Sequence, residues 1–374
     1  MILSAAITAK HLLVDISAHG LGHLAQTASV LNALNCDNIR LTIRSMAPIE
    51  TLNERIQHPF DLIRYQQDNG MIMHNALDVD VEKSMEWYRN FHSNYDERKS
   101  TAAKELEEIG PDLVFSNVPY LGLDAASLVG IPSVALCSLN WADIFNAYCG
   151  HYPDAQKICS DISNAYSNAS VFLRPEPSMP MTFLSNTQSV SPIAFIGRRQ
   201  PEFLRTVTNC SDQMKFVLIG VGGVGIDNFP LEQWPELDDV TWIFPDNTLA
   251  CSSLNKRADF VPQSQFEMNY IDLLSSCDLV LTKTGYGTQT ESVVNKIPTI
   301  CITRPDWPEH EYLSNWHEKH GDVEFIEWNN VGTPAFAEMV VDMLGKALWT
   351  RKSVIPNGAK EAANTIHRQL LIDT

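Results

Sequence analysis

An apolar run, Asp278–Leu281, leads straight into Thr282-Lys283-Thr284-Gly285-Tyr286-Gly287-Thr288-Gln289-Thr290-Glu291, and a second apolar run follows from Ile297 to Thr303. Short runs of this kind read as parallel strands buried on both faces, with a crossover helix from Gly287 to Asn295 between them. The glycine turn that joins strand to helix has a chemical consequence. Glycine lets the backbone approach an anion, and the first helical amides are unpaired donors at the positive end of the dipole. Gly285, Gly287 and Thr288 therefore form a candidate phosphate seat, with Glu291 one turn further on, in reach of a sugar hydroxyl beside the phosphates. Any α/β protein has glycine turns, so the turn alone is equally a structural feature.

The same alternation runs through the whole chain. In the first half, strands are predicted at Leu12–Ser17, Ile39–Arg44, Leu113–Ser116, Ser133–Cys137, Val171–Arg174 and Ile193–Gly197. Helices are expected at Gly22–Leu34, Val81 to Ile109, Leu121–Val129 and Pro153–Asn168. A second series of strands follows at Lys215–Gly220, Thr241–Phe244, Phe260-Val261, Asp278–Leu281, Thr299–Thr303 and Glu324–Glu327. Its helices are expected at Gln265–Ser275, Gly287–Asn295, Glu309–Lys319, Thr333–Ala347 and Ala359–Leu371. Gly197–Asp212, rich in Arg, Pro and polar residues, is the linker candidate. The expected architecture is α/β: two doubly wound Rossmann-like domains, residues 1–205 and 206–355, facing across a cleft, with a C-terminal helix in 356–374 packing back towards the first.

Composition narrows the partners. With 27 Lys and Arg against 45 Asp and Glu, the net charge is −18 and no basic cluster stands out. That argues against nucleic acid and against anchoring to an anionic membrane by charge, and leaves other peripheral membrane contact open. The eight cysteines form no C-x-x-C pair, and several sit in apolar runs, as small buried hydrophobes of a reducing compartment do. No run has membrane-spanning length, and Ile2 to Ala9 is short for a signal peptide and lacks a basic leader. A soluble, cytoplasmic protein is expected.

After the first strand comes Ser17-Ala18-His19-Gly20-Leu21-Gly22-His23. Gly20 and Gly22 permit a tight turn at a strand's carboxyl end, and His23 then stands at the helix start. The positive helix end favours a neutral imidazole, the form a general base needs. The alternative, for His23 and more so for His19, is a hydrogen bond that holds the loop.

His-Gly-Leu-Gly-His together with Lys-Thr-Gly-Tyr-Gly-Thr-Gln-Thr-Glu resembles the GT-B glycosyltransferases. Nearest in pattern are the peptidoglycan N-acetylglucosaminyltransferase and the glycosyltransferase-like proteins related to the front half of arabinokinases. Asp78-Val79-Asp80, Pro111 to Asn117 and Leu139 to Phe145 echo the second group. The resemblance implies His23 as the base of an inverting transfer. It implies Gly222, Gly223 and Gly225 as the loop approaching the donor phosphates, and Gly287 with Thr288 as the pyrophosphate seat. Glu291 would hold the ribose, and Phe260 and Val261 would meet the nucleobase through backbone groups. The loop Arg304 to Glu311 would contact the donor sugar and offers Asp306, Glu309 and Glu311 to its hydroxyls. The implied substrates are a nucleotide sugar, a UDP-sugar first, and an acceptor that no motif names.

The remaining features read more plainly. Trp87, Tyr88, Phe91 and Tyr95 share one helical face and are expected in the core. Trp141, Phe145 and Tyr148 follow a strand end, so Trp141 is either core or a contact for the acceptor. His74 is expected to be structural, and Asp78-x-Asp80 to be an acid pair at a helix start. No ligand cluster for a metal is evident, and neither metal nor cofactor is expected. With water in place of the acceptor the same residues make a nucleotide-sugar hydrolase; without chemistry they make a sugar-nucleotide-binding regulator. An epimerase lacks its further carboxylate pair.

Overall fold

A computed structural model of the chain describes residues 9–65, 67–221, 229–250, 257–346, 349 and 351–371. The chain divides into two compact units. Unit 1 comprises Met1–Met73, Val79–Ile193 and Asn357–Thr374; unit 2 comprises His74–Asp78 and Ala194–Pro356.

Unit 1 is built on a sheet of β1 (Lys10–Ile16), β2 (Ile39–Arg44), β3 (Asp61–Ile63), β4 (Leu113–Asn117), β5 (Ser133–Leu136), β6 (Val171–Pro175) and β7 (Thr187–Val190). Their order is β3-β2-β1-β4-β5-β6-β7 and all pairings are parallel. Unit 2 repeats the design with β8 (Lys215–Gly220), β9 (Val240–Phe244), β10 (Phe260–Pro262), β11 (Leu279–Lys283), β12 (Thr299–Ile302) and β13 (Val323–Ile326). Its order is β10-β9-β8-β11-β12-β13, again parallel. In each sheet the first strand has its successor on one side and the fourth on the other. In unit 1 the helices that follow those two strands leave on opposite faces, and in both sheets the reversal of strand order puts a crevice beyond the carboxyl ends of the two strands.

Three expectations need correction. Ile193–Gly197 is not a strand; the seventh strand of unit 1 is Thr187–Val190. Pro192 has no amide to give a sheet, and beyond it the Phe195 carbonyl and Gly197 amide are taken by the Asn295 side chain. The helix expected from Val81 to Ile109 is two, Val81–His92 and Tyr95–Ile109. Asn94 leaves the helical region at the join (φ −133°), and Phe91 and Tyr95 are both buried across it. The helix expected over Gln265–Ser275 is interrupted by Glu267 in the left-handed region (φ 46°), so the regular part is Tyr270–Ser276, capped by Asn269.

Asp80 and Tyr88 stand as the sequence suggests. Asp80 caps the Val81–His92 helix by accepting the Lys83 amide, and Tyr88 is fully buried beneath it. The last helix, Gly358–Leu370, belongs to unit 1. Its Glu361 carboxylate accepts both the amide and the hydroxyl of Ser191, each at 2.8 Å.

Beneath the carboxyl end of β1 lies a buried ion pair. Arg44 of β2 donates Nε and a terminal nitrogen to the two oxygens of Asp15 in β1, at 2.7 and 2.8 Å, with both side chains at most 3% exposed. Gly122 presses on it so closely that a Cβ there would strike the Asp15 carboxylate. Removing one partner strands the other charge in a medium that cannot solvate it. Arg44→Met should cost about 3–5 kcal/mol, and Asp15→Leu in the same chain should recover most of it. Urea unfolding measures both; an unchanged midpoint in Arg44→Met would show that the pair does not support unit 1.

Candidate functional site

In unit 1 the sequence-predicted residues meet at the ends of β1, β4 and β5. Gly20, in the left-handed region at φ +76°, turns the chain after β1, and the helix Gly22–Ala33 starts at once. Gly22 is not demanded by packing, since a Cβ there would meet nothing within 4 Å. His23 is buried, and its Nδ1 lies 3.0 Å from the Asn117 side-chain oxygen at the end of β4. The Asn117 amide nitrogen donates to Gln26 at 3.1 Å, which aims the oxygen at the imidazole. Nδ1 is then the protonated nitrogen and Nε2 keeps its lone pair. Burial lowers the His23 pKa below its usual value of 6.5, against the raising effect of the Asn117 bond. The imidazole is neutral at pH 7 and in one tautomer, which is what proton abstraction requires.

His19 stands beside it, with ring centroids 6.4 Å apart. Trp141 is fully buried rather than offered to solvent, and its indole packs 5.1 Å from His19 and 5.7 Å from His23. It backs the two histidines.

The residue that sequence reasoning missed is Asp68. Its carboxylate accepts the Trp141 indole N–H at 2.6 Å and the Ser17 hydroxyl at 2.9 Å. Burial pushes its pKa up to about 6, the two hydrogen bonds opposing and the Asp15 charge adding. Gly70, two residues on, has φ +56°, and a Cβ there would strike both Trp141 and His19. Asp68 and Gly70 together fix the floor on which the histidines rest. The only local signal was a turn-like Asp-Asn-Gly, which says nothing about where the turn docks.

In unit 2, Gly222, Gly223 and Gly225 lie outside the described residues. The opposite wall of the crevice is described. Gly285 caps the helix Tyr286–Asn295, but its own amide is engaged, donating to the Gln289 side chain at 3.0 Å. Gln289 in turn contacts Nδ1 of His317 at 3.2 Å, and burial drives the His317 pKa down to about 3. The amides with no helical acceptor are thus those of the first turn proper, Gly287 and Thr288 included. A Cβ at Gly287 would meet nothing within 4 Å, so this glycine too faces open space.

Lys283, also missed, ends β11 and is half-buried. A Cβ at Gly285 would lie 3.8 Å from its ammonium, so the cation stands beside the turn. Burial, helped by the charge of Arg304, lowers its pKa to about 8. Glu291 is half-buried one turn into the helix. Tyr270 reaches over Gly220, and its hydroxyl lies 3.5 Å from that of Thr288. Phe260 and Val261 form the edge strand β10, with side chains in the apolar clusters of unit 2, so what they offer outward is backbone. In the loop after β12, Glu309 is buried with its carboxylate 3.3 Å from the Trp307 indole nitrogen, whereas Asp306 is exposed.

Asp68 gives a prediction with a definite sign. Its folded pKa, about 6, is above the usual value of 3.8. As pH rises past 3.8 the unfolded chain loses this proton first, while the folded chain holds it until about 6. Asp68 therefore contributes stability below pH 3.8 that is lost between there and 6, by roughly 3 kcal/mol. The stability of Asp68→Asn relative to wild type should rise by that order from pH 4 to 7 and then level off, in urea unfolding at several pH values. A pH-independent difference would mean that Asp68 titrates normally.

No protein-family model matches the chain. Among curated proteins it is similar to L-arabinokinase of Arabidopsis thaliana, 23% identical over 327 residues. The match takes in 83% of this chain and 30% of that protein, so the chain spans under a third of its relative's length. Among solved structures it is similar to CalG4, the calicheamicin glycosyltransferase, with a TM-score of 0.63 at 12% identity over 97% of this chain and 94% of that one. It is similar also to Arabidopsis thaliana UGT89C1 (0.61, 12%, 97% and 99%) and to MurG of Acinetobacter baumannii (0.57, 15%, 96% and 99%). At such identities the likeness is one of fold, and that fold is GT-B, the one the sequence motifs resemble.

Proposed function

We propose that this chain is a glycosyltransferase that moves a sugar from a nucleoside diphosphate sugar, a UDP-sugar first, to a hydroxyl of an acceptor, with inversion. The observation that carries the reading is His23: buried, neutral and held by Asn117 so that Nε2 is the basic nitrogen. In the reaction, His23 Nε2 takes the acceptor hydroxyl proton as that oxygen bonds to the anomeric carbon. The bond from that carbon to the diphosphate breaks, and its electrons leave with the diphosphate. The Gly287 and Thr288 amides, the helix dipole and Lys283 would hold the departing charge. Glu291 would hold the ribose, and the edge backbone at Phe260 and Val261 the base. The donor seat so built asks for no metal. The glycosyltransferase structures of the same fold support the class of reaction.

Calorimetric titration with UDP, dTDP, GDP, ADP and CMP tests the donor half. One nucleotide should bind in the micromolar range, and Glu291→Ala should weaken it about tenfold, roughly 1.4 kcal/mol. His23→Ala should leave that affinity alone while lowering turnover by about 10²–10⁴-fold in an acceptor screen. If no nucleotide binds, the glycine turns are structural and the proposal fails.

Lys283 adds a pH dependence. With a pKa of about 8, it is charged at pH 7 and loses its charge above 8. Nucleoside diphosphate affinity should fall between pH 7 and 9, and Lys283→Met should bind weakly and lose that slope. An equal slope in both proteins would remove Lys283 from the seat.

A further inference from the structure

β8 ends in Gly220, where no side chain fits. A Cβ there would strike the Tyr270 hydroxyl and would stand 3.5 Å from both the ring carbon that carries it and the Thr288 methyl. Tyr270 opens the helix Tyr270–Ser276, and its ring packs on the apolar cluster that includes Phe216, Leu218 and Phe266. Packing therefore holds the ring, and its polar tip reaches the end of β8. That strand end is itself fixed, since the Thr282 hydroxyl of β11 donates to the Gly220 carbonyl at 2.7 Å. Tyr270 belongs to none of the motifs that resemble the GT-B glycosyltransferases.

Two hydroxyls meet there. That of Tyr270 lies 3.5 Å from that of Thr288, which stands in the first turn of the helix Tyr286–Asn295. Burial raises the Tyr270 pKa above its usual 10, with the Thr288 contact opposing and the Glu291 charge adding. The phenol is thus an O–H donor at any physiological pH. At 3.5 Å it makes no full-strength bond to Thr288, because O–H···O bonds are best near about 2.7 Å. The spacing suits a third oxygen between them. An atom about 2.7 Å from each hydroxyl would see the two at roughly 80° to one another and accept from both. An anionic oxygen gains two charge-assisted bonds in this way, each about twice as strong as an alcohol oxygen would gain. The geometry therefore favours a phosphate oxygen over a sugar hydroxyl.

We propose that Tyr270 is a further donor-binding residue, its hydroxyl and that of Thr288 together grasping one oxygen of the donor's diphosphate. The inference rests on the function proposed above. Calorimetry on the full chain with UDP, dTDP, GDP, ADP and CDP first identifies the nucleotide that wild type binds. Tyr270→Phe keeps the ring and removes only the oxygen, and urea unfolding checks that the variant is folded. It should bind that nucleotide about tenfold more weakly, as the loss of one hydrogen bond to a charged group does. At saturation, at least one ³¹P resonance of the bound nucleotide should move between wild type and Tyr270→Phe. If no nucleotide binds to wild type, the proposed function fails and the inference with it. If one binds to both proteins with equal affinity, the proposed function stands and the inference is overturned. A weakened affinity with unmoved ³¹P resonances would also overturn it, since the hydroxyl would then act away from the diphosphate.

Discussion

The candidate site depends on where β4 pairs. It joins β1 on the side away from β2, so the helices after β1 and β4 diverge and leave a gap at the carboxyl ends of both strands. His23 and Asn117, 94 residues apart in sequence, face each other there at 3.0 Å. Unit 2 repeats the strand order with β8 and β11, where the Thr282 hydroxyl is tied to the Gly220 carbonyl at 2.7 Å. The candidate residues collect at these two places because the topology leaves a gap between neighbouring strand ends there. Elsewhere a parallel sheet is sealed by its own crossovers.

Burial at the unit 1 crevice acts on each ionisable group according to its partners. Asp15 is met by the Arg44 guanidinium, which reaches it with two nitrogens. Asp68 has a hydroxyl and an indole N–H instead of a cation, so the same surroundings lift its pKa to about 6. His23 has a neutral amide oxygen and the Cys137 sulfur as partners, and burial drives it towards the uncharged form. One apolar environment thus yields a structural ion pair, a titrating acid and a neutral base within a short stretch of fold. Trp141 links the last two, since it packs edge-on to His19 and tilted against His23 and donates to the acid.

Legibility in the sequence follows the range of the interaction that decides each feature. An apolar run discloses β8, and a strict apolar–polar alternation discloses β2, each residue for residue. β7 is Thr-Gln-Ser-Val, with two of its four residues exposed, and carries no such signal. Glycine turns after strands point to the crevices because they are local. Asp68 does not show, since its partners Ser17 and Trp141 stand 51 and 73 residues away. The segment His74–Asp78 of unit 2 is hidden for the same reason: Ala76 and Leu77 are too few to read as a core segment, and the cluster that receives them lies in the other half of the chain.

An overall charge of −18 opposes the approach of any diphosphate, so attraction in unit 2 must be local. Gln289 takes the Gly285 amide and is itself braced by His317, fully buried and uncharged. That fixes the turn's shape and leaves donors only from the first helical turn onward. Lys283 stands beside the turn in a costly position, where burial first and the Arg304 charge second lower its pKa to about 8. An incoming dianion relieves both penalties at once, since it restores the ammonium's full charge and screens it from the guanidinium. In the proposed donor seat, the cost of burying this cation would be repaid as affinity for an anion, which is how so acidic a chain could attract a phosphate with few positive charges.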